Sequence, residues 1–304
     1  MQIVTLTLCC AFDIHADAEK ITLNHENIAR ITDYDAGGKG VNISRALSRF
    51  DIDNVAIAAV GEENCDEFIK KLKNENISLQ IIGIPGRIRE NITIHTEDGK
   101  ETRISFSGDA APENLLERVS EITDAVCGED TVLTFTGRLP DGVSVCAAKE
   151  YIKSLQARGV RVVIDSKSFS LSDIAELRPF LIKPNEEEIA EYTGRVIADF
   201  DSAAEAARNL NAVGIENVMI SLGAGGALLC SQGEVYIAHA PTVKAVSTIG
   251  AGDSSIAGFL YAMSKNMSAA DCLKTAVAFG SAACLTSGTN PPLPEDVNRL
   301  LKLI

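Results

Sequence analysis

The stretch Thr248-Ile249-Gly250-Ala251-Gly252-Asp253 runs directly into an apolar segment, Ser254 to Met263, that reads as a helix. Two glycines at a helix entrance let a ligand approach the backbone closely. The free N–H groups of the first turn and the helix dipole then favour an anion. A carboxylate would repel a bound phosphate there, so Asp253 needs a purpose. Either it caps the helix, or it accepts a proton from a hydroxyl about to attack phosphorus.

Upstream, short β-branched runs alternate with amphipathic patterns. Ile3–Leu8, Val55–Ala59, Thr131–Phe135, Arg161–Ile164, Phe180–Ile182 and Val218–Ser221 read as strands. Val41, Ile43, Ala46, Leu47 and Phe50 recur at helical spacing, as do Leu115, Val119, Ile122 and Val126, and Ala203, Ala206, Ala207 and Leu210. This alternation predicts an α/β fold, a doubly wound and mostly parallel sheet with helices on both faces. One segment departs from it. Asn91–Thr96 and Glu101–Phe106 flank Asp98 and Gly99, which favour a two-residue hairpin turn, so these strands belong to a small second sheet. On that turn Arg89, Asn91 and Thr93 share one face and Arg103 lies on the other.

The chain has 304 residues and no linker rich in Pro, Gly or Ser, which favours one large domain carrying the small sheet as an appendage. Its net charge of −14 makes an extended nucleic-acid footprint or an anionic membrane partner a poor expectation. Any phosphate must be held locally. The eight cysteines form no CxxC pair, the N-terminus lacks a basic leader and no run reaches membrane-spanning length, so a soluble, cytoplasmic protein with reduced thiols is expected.

Three further segments carry chemistry. Gly37-Gly38-Lys39-Gly40-Val41-Asn42 is a second glycine-rich helix entrance, either a phosphate site with a neutralising cation or a tight turn with a solvated lysine. It is not a Walker A loop, because Gly40 follows Lys39. Lys183-Pro184-Asn185 leads into Glu186–Glu188, and Asn185 and Glu188 lie one helical turn apart. They suit Mg²⁺ held partly through water, or simply an acidic helix start. Ser221–Gly226 ends a strand in a glycine turn where a nucleotide could lie against backbone. No HExxH or GxSxG pattern is present.

These four segments, in this order, resemble the PfkB branch of the ribokinase-like carbohydrate kinases over nearly the whole chain. Val41, Asn42 and Arg45 in GGKGxNxxR, with Arg89 and Asn91 as an RxN pair, are similar to the 1-phosphofructokinase and tagatose-6-phosphate kinase branch. The resemblance implies a single ribokinase-like kinase domain over 1–304, with a small β lid from segments near 13–36 and 88–107. It implies ATP and Mg²⁺, and a sugar phosphate as acceptor: fructose 1-phosphate first, tagatose 6-phosphate or fructose 6-phosphate next. An unphosphorylated sugar or nucleoside, or a non-catalytic sensor, is a more distant reading. Asp253 would be the base, with backbone from Gly250, Ala251 and Gly252 stabilising the transferred group. Asp13, Gly38, Lys39, Asn42, Arg89, Asn91 and Arg138 would meet the sugar phosphate. Lys183, Asn185, Ser221, Gly223, Gly225, Gly226, Thr248, Gly250 and Gly252 would line the ATP site, Asn185 and Glu188 would hold Mg²⁺, and the lid would pair two copies in a homodimer. The chain departs from the family at Cys9 and Cys10, where Asn and Pro are usual, at Thr136–Pro140, where TGRLP replaces SGSLP, and at Ser247, where Asn is common.

Overall fold

Hydrophobic residues on alternate faces of successive strands build the main sheet. In the computed structural model, which describes residues 1–304, the strands are β1 (Gln2–Thr7), β2 (Ala11–Ala18), β3 (Arg30–Gly37), β4 (Asn54–Gly61), β5 (Ser78–Ile84), β6 (Arg89–Thr96), β7 (Glu101–Ser105), β8 (Thr131–Thr136), β9 (Arg161–Asp165), β10 (Leu181–Ile182), β11 (Asn217–Ser221), β12 (Gly226–Ser231) and β13 (Glu234–His239). The helices are α1 (Lys39–Arg49), α2 (Cys65–Leu72), α3 (Leu115–Val126), α4 (Val145–Ala157), α5 (Leu171–Leu177), α6 (Glu186–Thr193), α7 (Phe200–Ala212), α8 (Ala251–Ser264), α9 (Ala269–Ala283) and α10 (Pro294–Leu301). Nine strands form the large sheet in the order β13-β12-β11-β10-β9-β8-β1-β4-β5, parallel except for the β12 and β13 edge. The chain winds outward from β1 on one side and from β8 on the other. The crevice beyond the carboxyl ends of these two strands is therefore the natural ligand site.

Both faces of the sheet are covered. Leu133, Phe135, Ile164 and Ile220 pack with Val119 of α3, Ile152 of α4 and Leu210 of α7. On the opposite face Val132, Val163 and Met219 pack with Leu47 of α1, Leu260 of α8 and Phe279 of α9. Burial on both faces is what a parallel sheet requires. Three strands escaped the sequence reading: β5, β12 and β13. In β12, Ala227, Leu228 and Leu229 favour helix by propensity, but Gln232 and Gly233 at φ 52° and 82° make a two-residue left-handed turn that pairs β12 with β13.

The second sheet has the order β3-β2-β6-β7 and rises over the crevice as a lid. Its register corrects the sequence expectation. Thr96 N donates to Lys100 O at 3.0 Å, so the β6–β7 loop is Glu97-Asp98-Gly99, three residues instead of two, with Gly99 at φ 78°. One extra residue flips every side chain of β7. Arg103 is thus directly opposite Thr93 and shares the face of Asn91, contrary to the reading that put it on the other side.

The middle of α8 packs closely on α9. A Cβ on Gly258 would stand 2.8 Å from both Phe279 Cβ and Thr275 O. Gly258→Ala should gain about 1 kcal/mol of helix propensity and lose about 1–3 kcal/mol to overpacking. Net destabilisation is expected in urea unfolding, and a variant as stable as wild type would mean that the α8–α9 contact yields freely.

Candidate active site

Two glycine-capped helices meet at the crevice. Gly38, at φ 125°, is the N-cap of α1, and Gly250, at φ 80°, is the N-cap of α8. Neither conformation suits an L side chain, so glycine is required at both. Asp253 lies in the first turn of α8 and makes no capping bond, which removes the cap reading. Instead Asn42 Nδ2 donates to Asp253 Oδ2 at 2.9 Å, joining motifs 211 residues apart. Asn42 Oδ1 is buried without a partner.

Burial raises the Asp253 carboxyl to about 6, against the pull of Lys39, the Asn42 hydrogen bond and Lys183 and with a further push from Asp165. A carboxylate in that range is ionised at neutral pH yet basic enough to take a proton. Lys39, expected to be free for phosphate, is ion-paired: its Nζ donates to Asp165 Oδ2 at 2.8 Å. Burial opposes the charge on each partner, but mutual attraction prevails, holding Lys39 above and Asp165 below their ordinary values. Asp165 was missed in the sequence, although it ends a parallel strand at the edge where α/β folds bind ligands. Lys183 is buried, and its Nζ lies 3.1 Å from where a Cβ on Gly252 would project, so a second ammonium faces the α8 N-terminus.

The lid supplies a chain of polar contacts. Arg89 Nη1 donates to Asn91 Oδ1 at 2.6 Å, Asn91 Nδ2 donates to Asp13 Oδ1 at 2.7 Å, and Arg103 Nη2 reaches the same Asp13 oxygen at 3.3 Å. Arg89 Nε stays buried and unpartnered. Asp13 also lies against Gly37, leaving no room for a side chain there. The lid is fastened by contacts the sequence did not reveal: Ser287 Oγ donates to Asp33 Oδ1 at 3.2 Å, and Thr289 N donates to Asp35 Oδ2 at 3.2 Å. Arg45 faces this loop instead of the crevice. It is buried, donating to Glu75 and to Thr289 O, so it serves as a brace.

Asn185 and Glu188 form a capping box: Glu188 N donates to Asn185 Oδ1 at 2.8 Å and Asn185 N to Glu188 Oε2 at 3.0 Å. No three His, Cys, Asp or Glu side chains converge as a ready metal site. Glu188, Asp165 and Lys183 do line one small cavity of about 10 Å³, roughly one water in size. Ser221 bridges to Asn185, and Gly223–Gly225 forms a 3₁₀ turn ahead of Gly226, whose φ of 115° admits only glycine comfortably. Arg138 follows β8 with its Nε buried and unpartnered, and Thr248 O accepts the Ala251 N–H at 3.4 Å.

A carboxyl raised by folding binds its proton more tightly in the native state. The stability this group contributes is therefore full in acid and is lost as pH rises through about 6. Asp253→Asn should stabilise the fold at pH 8, by up to about 3 kcal/mol for a shift of roughly two units. The gain should vanish near pH 4. Thermal midpoints at both pH values test this, and an equal difference at the two would contradict a raised carboxyl.

Residues 2–296 match the family described as pfkB family carbohydrate kinase. The chain is 31% identical over 284 residues to the 1-phosphofructokinase of Escherichia coli strain K12, covering 93% of this chain and 90% of that protein. It is 30% identical over 286 residues to the 1-phosphofructokinase of Bacillus subtilis strain 168, covering 94% and 93%. Its fold superimposes with a TM-score of 0.94 on a crystal structure of phosphofructokinase-2 from Escherichia coli in complex with substrates and products, at 27% identity and covering 100% of this chain and 99% of that one. The chain belongs to the pfkB family of carbohydrate kinases, phosphotransferases that act on a sugar hydroxyl.

Proposed function

We propose that the chain transfers the γ-phosphoryl group of ATP to a hydroxyl of a ketohexose phosphate, with fructose 1-phosphate as the preferred acceptor and fructose 1,6-bisphosphate as the product. The observation that carries this reading is the opposition of two unlike groups across one crevice: a buried base, Asp253, and a lid chain that ends in arginine. Asp253 accepts the proton of the attacking hydroxyl while Asn42 fixes its orientation. Asp13 and Asn91 take the remaining sugar hydroxyls. The sugar's own phosphate is met by Arg89 and Arg138, each with a spare buried Nε–H, and by Arg103 on the same lid face. Charge-assisted contacts of this kind distinguish a phosphorylated sugar from a free one.

The backbone N–H groups from Gly250 to Asp253, with Lys183 and Lys39, balance charge on the transferring group. ATP lies along Ser221–Gly226 and Thr248. Mg²⁺ favours few protein oxygens, several waters and shared phosphates, so Asn185 and Glu188 would hold it through water beside the ATP phosphates. It would neutralise charge on the ATP phosphates. The outward lid surface leaves Ile31, Ile104 and Phe106 exposed, with Leu23 and Ile28 in the adjoining loop, and a second copy of the lid would cover them.

A 6-phosphate acceptor is the second reading, favoured by the similarity to a phosphofructokinase-2 crystallised with fructose-6-phosphate, at 26% identity and a TM-score of 0.91. Coupled ADP release over fructose 1-phosphate, fructose 6-phosphate, tagatose 6-phosphate and free fructose separates these readings, and no turnover with any of them would leave a sensor. Asp253→Asn should lower kcat by at least about 10²-fold while both ligands still bind. Arg89→Ala should raise KM for the sugar phosphate by about 10- to 150-fold and leave KM for ATP and the response to free fructose nearly unchanged. Equal losses on phosphorylated and free sugars would make Arg89 a packing residue. Glu188→Gln keeps the capping box but should raise the Mg²⁺ needed for half-maximal rate; an unchanged requirement would limit Glu188 to capping.

A further inference from the structure

His15 on β2 and His95 on β6 meet on the lid, 80 residues apart in the chain, with His15 Nδ1 3.1 Å from His95 Nε2. The ring planes are 13° apart and the centroids 5.5 Å, so the imidazoles lie end to end in one plane and share a hydrogen bond along it rather than a π stack. Such a bond needs one donor and one acceptor. His95 Nδ1 lies 3.5 Å from Glu101 Oε2, and the carboxylate favours a proton on that nitrogen. His95 Nε2 is then the acceptor, His15 Nδ1–H the donor, and His15 Nε2 a bare lone pair. That nitrogen is buried without a partner, in a residue only 1% exposed.

Only at Nε2 can the neutral pair take another proton and keep its bond. Burial and the neighbouring His95 oppose a cation there and hold His15 below the ordinary histidine range, against the pull of Asp13, Asp35 and Asp33. The charged groups on this face are Asp13 and Asp17 from β2, Asp33 and Asp35 from β3, Glu101 and Arg103 from β7, and Lys100 from the β6–β7 loop. Across the cavity, Ser247, Thr248, Ser287 and Gly288 bring no charge. Asp13 is already held by Asn91 and Arg103. Asp33 stands directly opposite His15 in the β2–β3 register, with Asp35 two residues further on, and these are the two carboxylates that fasten the lid to the loop at Ser287 and Thr289.

We infer that the His15–His95 pair is a proton-operated latch: while His15 is neutral, Asp33 and Asp35 hold the Ser287–Thr289 loop, and a proton on His15 draws them away and frees the lid from the body of the molecule. The fastened form binds fewer protons than the open one. Its advantage is therefore full above the ordinary histidine value of 6.5 and shrinks as pH falls below it. Linkage sets the size: between pH 7.5 and 5.5 the balance shifts toward the open form by as much as about tenfold. Asp253 titrates in the same region with the opposite sign, because its raised carboxyl favours the folded form in acid.

Hydrogen exchange at the Thr289 amide, whose N–H donates to Asp35 Oδ2, reads the latch in the full chain without ligands. Corrected for intrinsic exchange chemistry, its protection should fall by about tenfold from pH 7.5 to 5.5 in wild type and in Asp253→Asn, while amides of β1 hold constant. His15→Asn keeps an N–H for His95 Nε2 but cannot titrate, so its Thr289 protection should be flat over that range. Should that variant not fold, nitrogen NMR of labelled histidines in wild type decides: His15 must carry its proton on Nδ1 at pH 7.5, and Thr289 protection must fall in step with His15 protonation. A flat wild-type profile, a fall that persists in His15→Asn, or a proton on His15 Nε2 at pH 7.5 overturns the inference. The exchange measurement uses neither sugar nor ATP, so failure of every ketose phosphate as substrate would defeat the kinase assignment and leave the latch to its own result.

Discussion

One cation stands among carboxylates at the carboxyl edge of the sheet, and the site depends on how its charge is divided. Lys39 donates to Asp165, not to Asp253. Two unit charges about 4 Å apart interact by about 4 kcal/mol at an effective dielectric near 20, enough to move a carboxyl by several pKa units. Were Lys39 bonded to Asp253, that group would be a poor base. Burial raises Asp253 to about 6, and Asp165, which takes the ammonium, adds its own negative field to that push. Asn42 restores one hydrogen bond without restoring charge.

The lid builds on this arrangement. Gly37 and Gly38 end β3 and begin α1, so the strand that forms one side of the lid leads without a linker into the helix that presents Lys39 and Asn42. The loop at Ser287–Asn290 then ties three parts together: Asp33 and Asp35 hold it from the lid, Arg45 holds it from α1, and Thr289 lies beside Gly250 at the α8 N-terminus. The second sheet, α1 and the start of α8 are therefore joined through this one loop. Movement of the lid alone would strip partners from Asp33 and Asp35, and solvent would have to replace them.

What the sequence revealed were the places where the backbone itself is constrained. Gly38 and Gly250 need positive φ at a helix start, and that need is written in the residue type. What it concealed were long-range pairings and counts of one. Lys39 and Asp165 are 126 positions apart, and no local pattern says that they meet. The lid hairpin was legible as a hairpin, yet one additional loop residue moved Arg103 to the face that carries Asn91. Asn185 and Glu188 show a third case: the spacing that suits a hydrated cation also suits a capping box, and the side chains form the box while keeping lone pairs for water.

The acidic balance of the chain bears on how an anion is accepted at all. With a net charge of −14, the field at long range opposes two phosphorylated substrates. Within the crevice, Lys39, Arg103 and Arg89 each already have an oxygen partner: Asp165, Asp13 and Asn91 in turn. On the proposed reading, a phosphate arriving there adds acceptors to cations whose geometry is set, so little side-chain entropy remains to be lost. The carboxylates that hold the cations also set a limit, because an anion too far from the guanidinium forks meets Asp13 or Asp165 first and is repelled. On the proposed reading, positive charge embedded in negative surroundings selects for where a phosphate sits on the sugar, and not merely for its presence.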